Sequence, residues 1–175
     1  MVNVKFKMVL YFFFLGLFSL LNQVVLLREL GFWFGGNELF YALGLGFWLL
    51  LAGLGSLFGK HFRNFLKQIP AFVHLCLYAL LPFTIIILLR FILSRILPAG
   101  QIPAIGSSVL IIFLTLLVPA LFSGILFYSG TRKWPDSTRG YLWETIGFFT
   151  AGLVFTFFLS QTSFPLPKRI NEASL

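Results

Sequence analysis

The chain has 175 residues, of which 59% are hydrophobic and only 10% charged, and its formal net charge is +8. Soluble domains carry about 25% charged residues, so this composition excludes a water-soluble globule and indicates an integral membrane protein. Long unbroken apolar runs favour spanning α-helices over the short alternating strands of a barrel. The predicted fold class is therefore all-α, a polytopic transmembrane helix bundle formed by one membrane domain, residues 1–175.

Five apolar runs predict about five spans, taken in chain order. The first follows Lys5 and Lys7 and has no small-residue cleavage site, so we expect it to remain as an uncleaved span. A turn-rich stretch, residues 31–38, separates it from the second span. Two basic connections, residues 59–70 and 131–140, and an uncharged loop, residues 98–106, separate the others. The predicted spans are residues 8–27, 39–58, 71–97, 107–128 and 141–159.

Basic residues indicate orientation and partners. The N-terminal segment and both basic connections alternate onto one side, which predicts a cytoplasmic N-terminus. These charges lie in short loops between apolar runs, so they indicate contact with the lipid bilayer and not with nucleic acid.

Side chains suited to catalysis or metal binding form no recognisable pattern. The single cysteine, Cys76, allows no disulfide within the chain and no cysteine-rich metal site. His61 and His74 have no metal-ligand spacing, and neither a phosphate-binding glycine loop nor a Ser-His-Asp set can be assembled. We expect no catalytic site, no cofactor and no metal.

Polar side chains at or near membrane depth form the sharper signal, because each ionisable group there costs several kcal/mol unless it is paired or hydrated. One interpretation is a buried polar cluster that binds a zwitterion or relays protons. The other is a set of headgroup-level residues that cap helices and form pairs in wet surroundings. If the carboxylates of Glu29 and Glu144 are paired in lipid, replacing either by Gln destabilises the protein. The candidate residues are Asn22, Gln23, Arg28, Glu29, Asn37, Glu38, Arg139 and Glu144.

Small residues recur along the second span at spacings that bring helices together. Ala42 and Gly46 are four residues apart, as are Ala52 and Ser56. These residues serve either packing within the bundle or docking of a partner subunit. The helix-packing candidates are Ala42, Gly44, Gly46, Ala52, Gly53, Gly55 and Ser56.

Four segments carry a family resemblance: GLFSLLNQVVLLREL at residues 16–30, FGGNEL at 34–39, SGILF at 123–127 and YLWETIG at 141–147. They resemble the N-terminal multi-span membrane region of bacterial spermidine synthase-like proteins. The resemblance implies a bacterial inner (plasma) membrane and a membrane region that precedes an aminopropyltransferase-like domain in the family. After residue 159 this chain has too few residues for a βαβ unit of about 30 residues, so we expect no aminopropyl transfer by this chain alone.

Three functions fit these observations. The first is a non-enzymatic membrane subunit or anchor that packs with other membrane proteins or with copies of itself. The second is a transport or sensing module that binds a small cationic or zwitterionic molecule, such as a polyamine. The third is the membrane half of a split spermidine synthase-like enzyme.

Overall fold

The computed structural model describes residues 2–62, 70–96, 104–134 and 136–161. These residues form five α-helices and contain no strand, which confirms the all-α prediction for the part of the chain described. Four helices are long and apolar enough to cross a membrane, and α5 is not among them. The helices are α1 Val2–Trp33, α2 Glu38–Phe58, α3 Ala71–Ile96, α4 Ile105–Thr131 and α5 Ser137–Gln161.

The first helix is longer than its sequence predicts. The predicted span ends at residue 27 and the turn begins at Gly31, whereas α1 continues to Trp33. The break comes at Gly35 and Gly36, whose φ angles of 68° and 71° lie in the left-handed region that favours glycine. Because Gly31 keeps a helical backbone, α1 continues to Trp33. The Trp33 side chain thereby contacts the polar side chains described below.

Helix α1 is the centre of the bundle and contacts all four other helices, while α2 packs mainly against α4. The register gives the directions of the helices. Residues 140 and 152 of α5 lie beside residues 12 and 20 of α1, so these two helices are parallel. Positions 55 and 59 of α2 lie beside 121 and 128 of α4, so that pair is parallel as well. Alternate helices therefore run in the same direction, as in an up-and-down bundle.

Close backbone contact joins the helices in each parallel pair. A Cβ atom at Gly16 would collide with the backbone carbonyl of Glu144 on α5. One at Gly124 on α4 would collide with the backbone carbonyl of Ala52 on α2. Such approach maximises dispersion contacts, which drive helix association where lipid removes the hydrophobic difference.

Apolar side chains fill two core clusters and also cover the outside of the bundle. One cluster surrounds Trp48 and Leu116, and the other surrounds Phe12 and Tyr78. Large apolar side chains remain exposed along the helices, Phe83 of α3 and Phe149 of α5 among them. A water-soluble monomer does not expose apolar surface on this scale, whereas the hydrocarbon of a bilayer accommodates it.

Candidate functional site: two carboxylates and a lateral cleft

The first candidate carboxylate, Glu29, is part of an interhelical ion pair. Arg90 of α3 donates from Nε to Oε1 of Glu29 at 2.7 Å and from Nη2 to Oε2 at 2.8 Å. The indole nitrogen of Trp33, one turn along α1, donates to Oε1 at 3.2 Å. The bidentate geometry suits a planar guanidinium and makes these hydrogen bonds stronger than neutral ones.

The partner of Glu29 is not the one adjacent in sequence. Arg28 is exposed, and Arg90 reaches the carboxylate from a neighbouring helix. The sequence predicts that Arg90 extends to the membrane interface. The Arg90 side chain is 64% exposed, but its guanidinium is bound to the Glu29 carboxylate, whose side chain is only 9% exposed. Helix α3 is thereby fixed in register on α1.

Asn22 joins the same two helices at a proline. Pro82 lies inside α3 and has no N–H to offer the carbonyl oxygen of Tyr78, four residues earlier. The side-chain nitrogen of Asn22, which is 1% exposed, donates to that oxygen at 3.1 Å and to the carbonyl oxygen of Phe18 at 2.8 Å. Asn22 thus satisfies a backbone group that the proline leaves unpaired, which is the condition for a proline inside a membrane-spanning helix.

A hydroxyl pair lies deeper in the bundle. Ser19 of α1 and Ser123 of α4 are 3.2 Å apart, oxygen to oxygen, and both are buried. The phenol of Tyr78 lies beside this pair. About two turns nearer the N-terminus of α1, the Tyr11 hydroxyl donates to the carbonyl oxygen of Leu126 at 3.0 Å. Polar contacts therefore connect α1 to α3 and α4 at the middle of the helices.

The second candidate carboxylate, Glu144, lines an open cleft of about 460 Å³ between α2 and α5. Ser19, Ser123 and Gly124 form the floor, from α1 and α4, and exposed Leu49 and Tyr141 form part of the rim. We call this space the Glu144 cleft. Its complete lining is Ser19, Trp48, Leu49, Ala52, Ser56, Ser123, Gly124, Phe127, Tyr141, Glu144, Thr145 and Phe148.

Within the part of the chain that the structure describes, no lysine or arginine lines the Glu144 cleft. The nearest basic residue in sequence, Arg139, is exposed and pairs with Asp136, Nε to Oδ2, at 2.9 Å. No ion pair or side-chain hydrogen bond to Glu144 is found among those described residues. The cleft thus combines a carboxylate with hydroxyl groups and aromatic rings.

The other candidate residues are distributed over the bundle. Gln23 is buried on α1, whereas Arg28 and Glu38 are exposed. Asn37 is the exposed N-cap of α2, where its side-chain oxygen accepts from the Leu39 backbone N–H at 2.9 Å. The structure therefore does not bring the eight candidates into one cluster: it separates a Glu29 pair, an Asn22 contact and the Glu144 cleft.

The small residues of α2 divide between two faces. Gly44 contacts Leu27, and Gly55, Ala52 and Ser56 face α4, so these positions pack inside the bundle. Ala42, Gly46 and Gly53 are exposed, and a Cβ atom at either of these glycines would meet nothing within 4 Å. We call Ala42, Gly46 and Gly53 the outer stripe of α2.

Sequence reasoning missed the tightest helix contacts. Gly16, Gly124 and Gly147 approach neighbouring backbones more closely than most of the predicted set. Gly147 and buried Ala151 are four residues apart on α5, a spacing that signals packing. Arg90, Ser19 and Ser123 were not candidates either, and their partners lie too far away in sequence to be identified from spacing.

Groups of three or more His, Cys, Asp or Glu side chains that could hold a metal ion are absent from the described residues. No protein-family model, curated protein or solved structure matches the chain.

Proposed function

We propose that this chain is a non-enzymatic integral membrane subunit that packs with other membrane proteins or with copies of itself. The observation that carries this proposal is the outer stripe of α2. Small residues in a membrane helix allow a second helix to approach closely, and three of the seven small residues of α2, Ala52, Gly55 and Ser56, already do so against α4. The outer stripe has the same composition but no neighbour in the described chain.

The proposal includes five membrane crossings in a bacterial inner membrane, with a cytoplasmic N-terminus. Support for the fifth crossing comes from α5, which runs parallel to α1 in close contact with it. Its 25 residues extend about 37 Å, and the hydrocarbon core is about 30 Å thick. Reporter fusions to the two ends of the chain test this topology: we expect the N-terminal reporter in the cytoplasm and the C-terminal reporter outside. Both reporters on one side would contradict five crossings.

The test of the subunit function is co-purification from the native membrane in a mild detergent, followed by mass spectrometry of everything bound. We expect a stoichiometric membrane protein, or a second copy of this chain, with the wild type. The double variant Gly46→Leu and Gly53→Leu adds bulk to the outer stripe, so it should lose that partner. Thr84→Leu adds bulk to an exposed position of α3 and should retain it.

Two results would contradict the subunit function. The first is a wild-type protein that purifies as a monomer with nothing stoichiometric bound. The second is a partner retained equally by the wild type, the double variant and Thr84→Leu.

The second candidate function is a transport or sensing module that binds a small cationic or zwitterionic molecule. The Glu144 cleft favours it, because a carboxylate at membrane depth that lacks a partner attracts positive charge. The size of the cleft lies within the range of small-molecule sites. The cleft adjoins the outer stripe, because Leu49 of its rim lies between Gly46 and Gly53 on the same face of α2.

A further inference from the structure

The Glu144 cleft carries a more specific inference about its ligand, which rests on the second candidate function. The cleft is polar on its floor and apolar at its opening. Ser19 and Ser123 lie at the floor, whereas Leu49 and Phe148 lie on the exposed surface. A ligand that fits this arrangement has a polar end that points inward and an apolar body that lies against the helices.

The depth of the cleft restricts how a ligand reaches it. Ser19 is fourteen residues beyond Lys5, the start of the first apolar helix, which places it about 21 Å along the helix axis. Leu49 is similarly near the middle of α2, Glu38–Phe58. The opening therefore faces the hydrocarbon, and access is lateral, from within the bilayer.

The charge of the cleft determines the polar end. Glu144 is the single ionisable carboxylate among the described lining residues, and no basic side chain accompanies it. Hydroxyl groups of Ser56 and Thr145 and the aromatic rings of Trp48 and Tyr141 complete the surroundings. A carboxylate with aromatic faces is the combination that binds ammonium groups, through a charge-assisted hydrogen bond and cation–π attraction.

We propose that the Glu144 cleft binds one ammonium group carried by an amphipathic molecule that enters from the bilayer. A single carboxylate balances a single positive charge, so a molecule with several separated ammonium groups would leave some of them unpaired in an apolar region. The ammonium donates to Glu144, and its alkyl body packs along Leu49 and Phe148. A free amphipathic amine and the headgroup of an aminophospholipid share this chemistry.

Native mass spectrometry of the purified chain, released from nonionic detergent micelles, tests the inference. The probes are dodecylammonium, its neutral counterpart dodecanol, a linear triamine and phosphatidylethanolamine. We expect one dodecylammonium bound per chain, weaker binding of the triamine and none of dodecanol. Glu144→Gln should lower dodecylammonium affinity roughly tenfold or more, because it removes a charge-assisted hydrogen bond.

Two further variants separate loss of the site from loss of the fold. Glu144→Asp keeps the negative charge and should retain most of the binding. Glu38→Gln removes an exposed carboxylate at the start of α2 and should bind like the wild type. Phosphatidylethanolamine that competes with dodecylammonium would identify the lipid as a source of the ammonium group, and dodecylammonium binding without such competition would identify a free amine.

The possible contrary results distinguish a failure of the inference about the ligand from a failure of the binding-module function. Equal binding of dodecanol and dodecylammonium, or unchanged binding by Glu144→Gln, would overturn the inference. Stronger binding of the triamine through Glu144 would overturn the single-ammonium inference and leave the binding-module function intact. If no probe binds, both are wrong, whereas the subunit function, which is tested on the outer stripe, is unaffected.

Discussion

Glu29 and Glu144 are two carboxylates inside helices of the same bundle, and their surroundings differ completely. Glu29 accepts two hydrogen bonds from Arg90 and one from Trp33, so its charge is balanced within the chain. Glu144 lines an open cleft without a basic neighbour among the residues described. A paired carboxylate holds helices together, while one without a partner among the described residues is available to a cation from outside that part of the chain.

The largest effect is expected where the backbone supports the Glu144 cleft. Gly16→Leu places a side chain against the Glu144 carbonyl, so α1 and α5 must separate. We expect a loss of about 3 kcal/mol or more in the free energy of unfolding, at or above the upper end for overpacking. Thermal unfolding in detergent measures this loss. Gly106→Leu, at an exposed glycine of α4 where a Cβ atom would meet nothing within 4 Å, is the matched control and should change stability by no more than about 0.5 kcal/mol.

The next effect concerns the paired carboxylate. Glu29→Ala leaves the Arg90 guanidinium and the Trp33 N–H without their acceptor, so we expect a loss of about 1–3 kcal/mol in the free energy of unfolding. Glu38→Ala, on an exposed carboxylate, is the control. Equal melting temperatures for the two variants would show that the Glu29–Arg90 pair does not stabilise the bundle.

A smaller effect is expected at Asn22. This residue lies on α1 between Gly16, which contacts Glu144 of α5, and Glu29. Asn22→Leu leaves the Tyr78 carbonyl oxygen unsatisfied and should cost about 1 kcal/mol, since interhelical hydrogen bonds in membranes average about 0.6 kcal/mol. Pro82→Ala restores the backbone N–H that the Tyr78 oxygen lacks. In that background, Asn22→Leu should therefore cost less. Additive effects in this double-mutant cycle would contradict the link between Asn22 and Pro82.

The smallest effect is expected at the unpaired carboxylate. The sequence led us to expect destabilisation by Glu144→Gln if this carboxylate were paired in lipid. Because Glu144 has no such partner in the described chain, we now expect a change within about 0.5 kcal/mol, or a slight stabilisation. Thermal unfolding beside Glu29→Gln measures the difference. Destabilisation of the same size in both variants would contradict the distinction between the two carboxylates.

The helices were predictable from the sequence because apolar length is a local property. The predicted starts of α2 and α3 lie within one residue of Glu38 and Ala71, the first residues of these helices. The end of α1 was less predictable. Gly31 is compatible with either helix or turn, and the break is determined by Gly35 and Gly36, which adopt left-handed φ angles. Asn37 caps α2, which is the role that the second of the two interpretations of the polar residues gave to such positions.

The polar contacts were not predictable because they depend on which helices become neighbours. Glu29 and Arg90 are 61 positions apart in sequence, and nothing local to either residue indicates that α1 and α3 are in parallel contact. The glycines of α2 lie on two different faces of the helix for the same reason. Gly55 and Gly53 look alike in sequence, but only Gly55 faces α4. Spacing identified residues suited to helix contact, but the packing of the helices determines which of these residues make such a contact.

The most direct test of the difference between the two carboxylates is labelling with dicyclohexylcarbodiimide in the absence of any amine, because this apolar reagent modifies accessible carboxyl groups that no bound cation keeps ionised. Peptide mass spectrometry after labelling in nanodiscs would locate the modified residues. We predict modification of Glu144, which lines an open cleft and has no basic neighbour among the described residues, and protection of Glu29, which is held by Arg90. Modification of Glu29 with Glu144 protected would contradict both the ion pair and the open cleft.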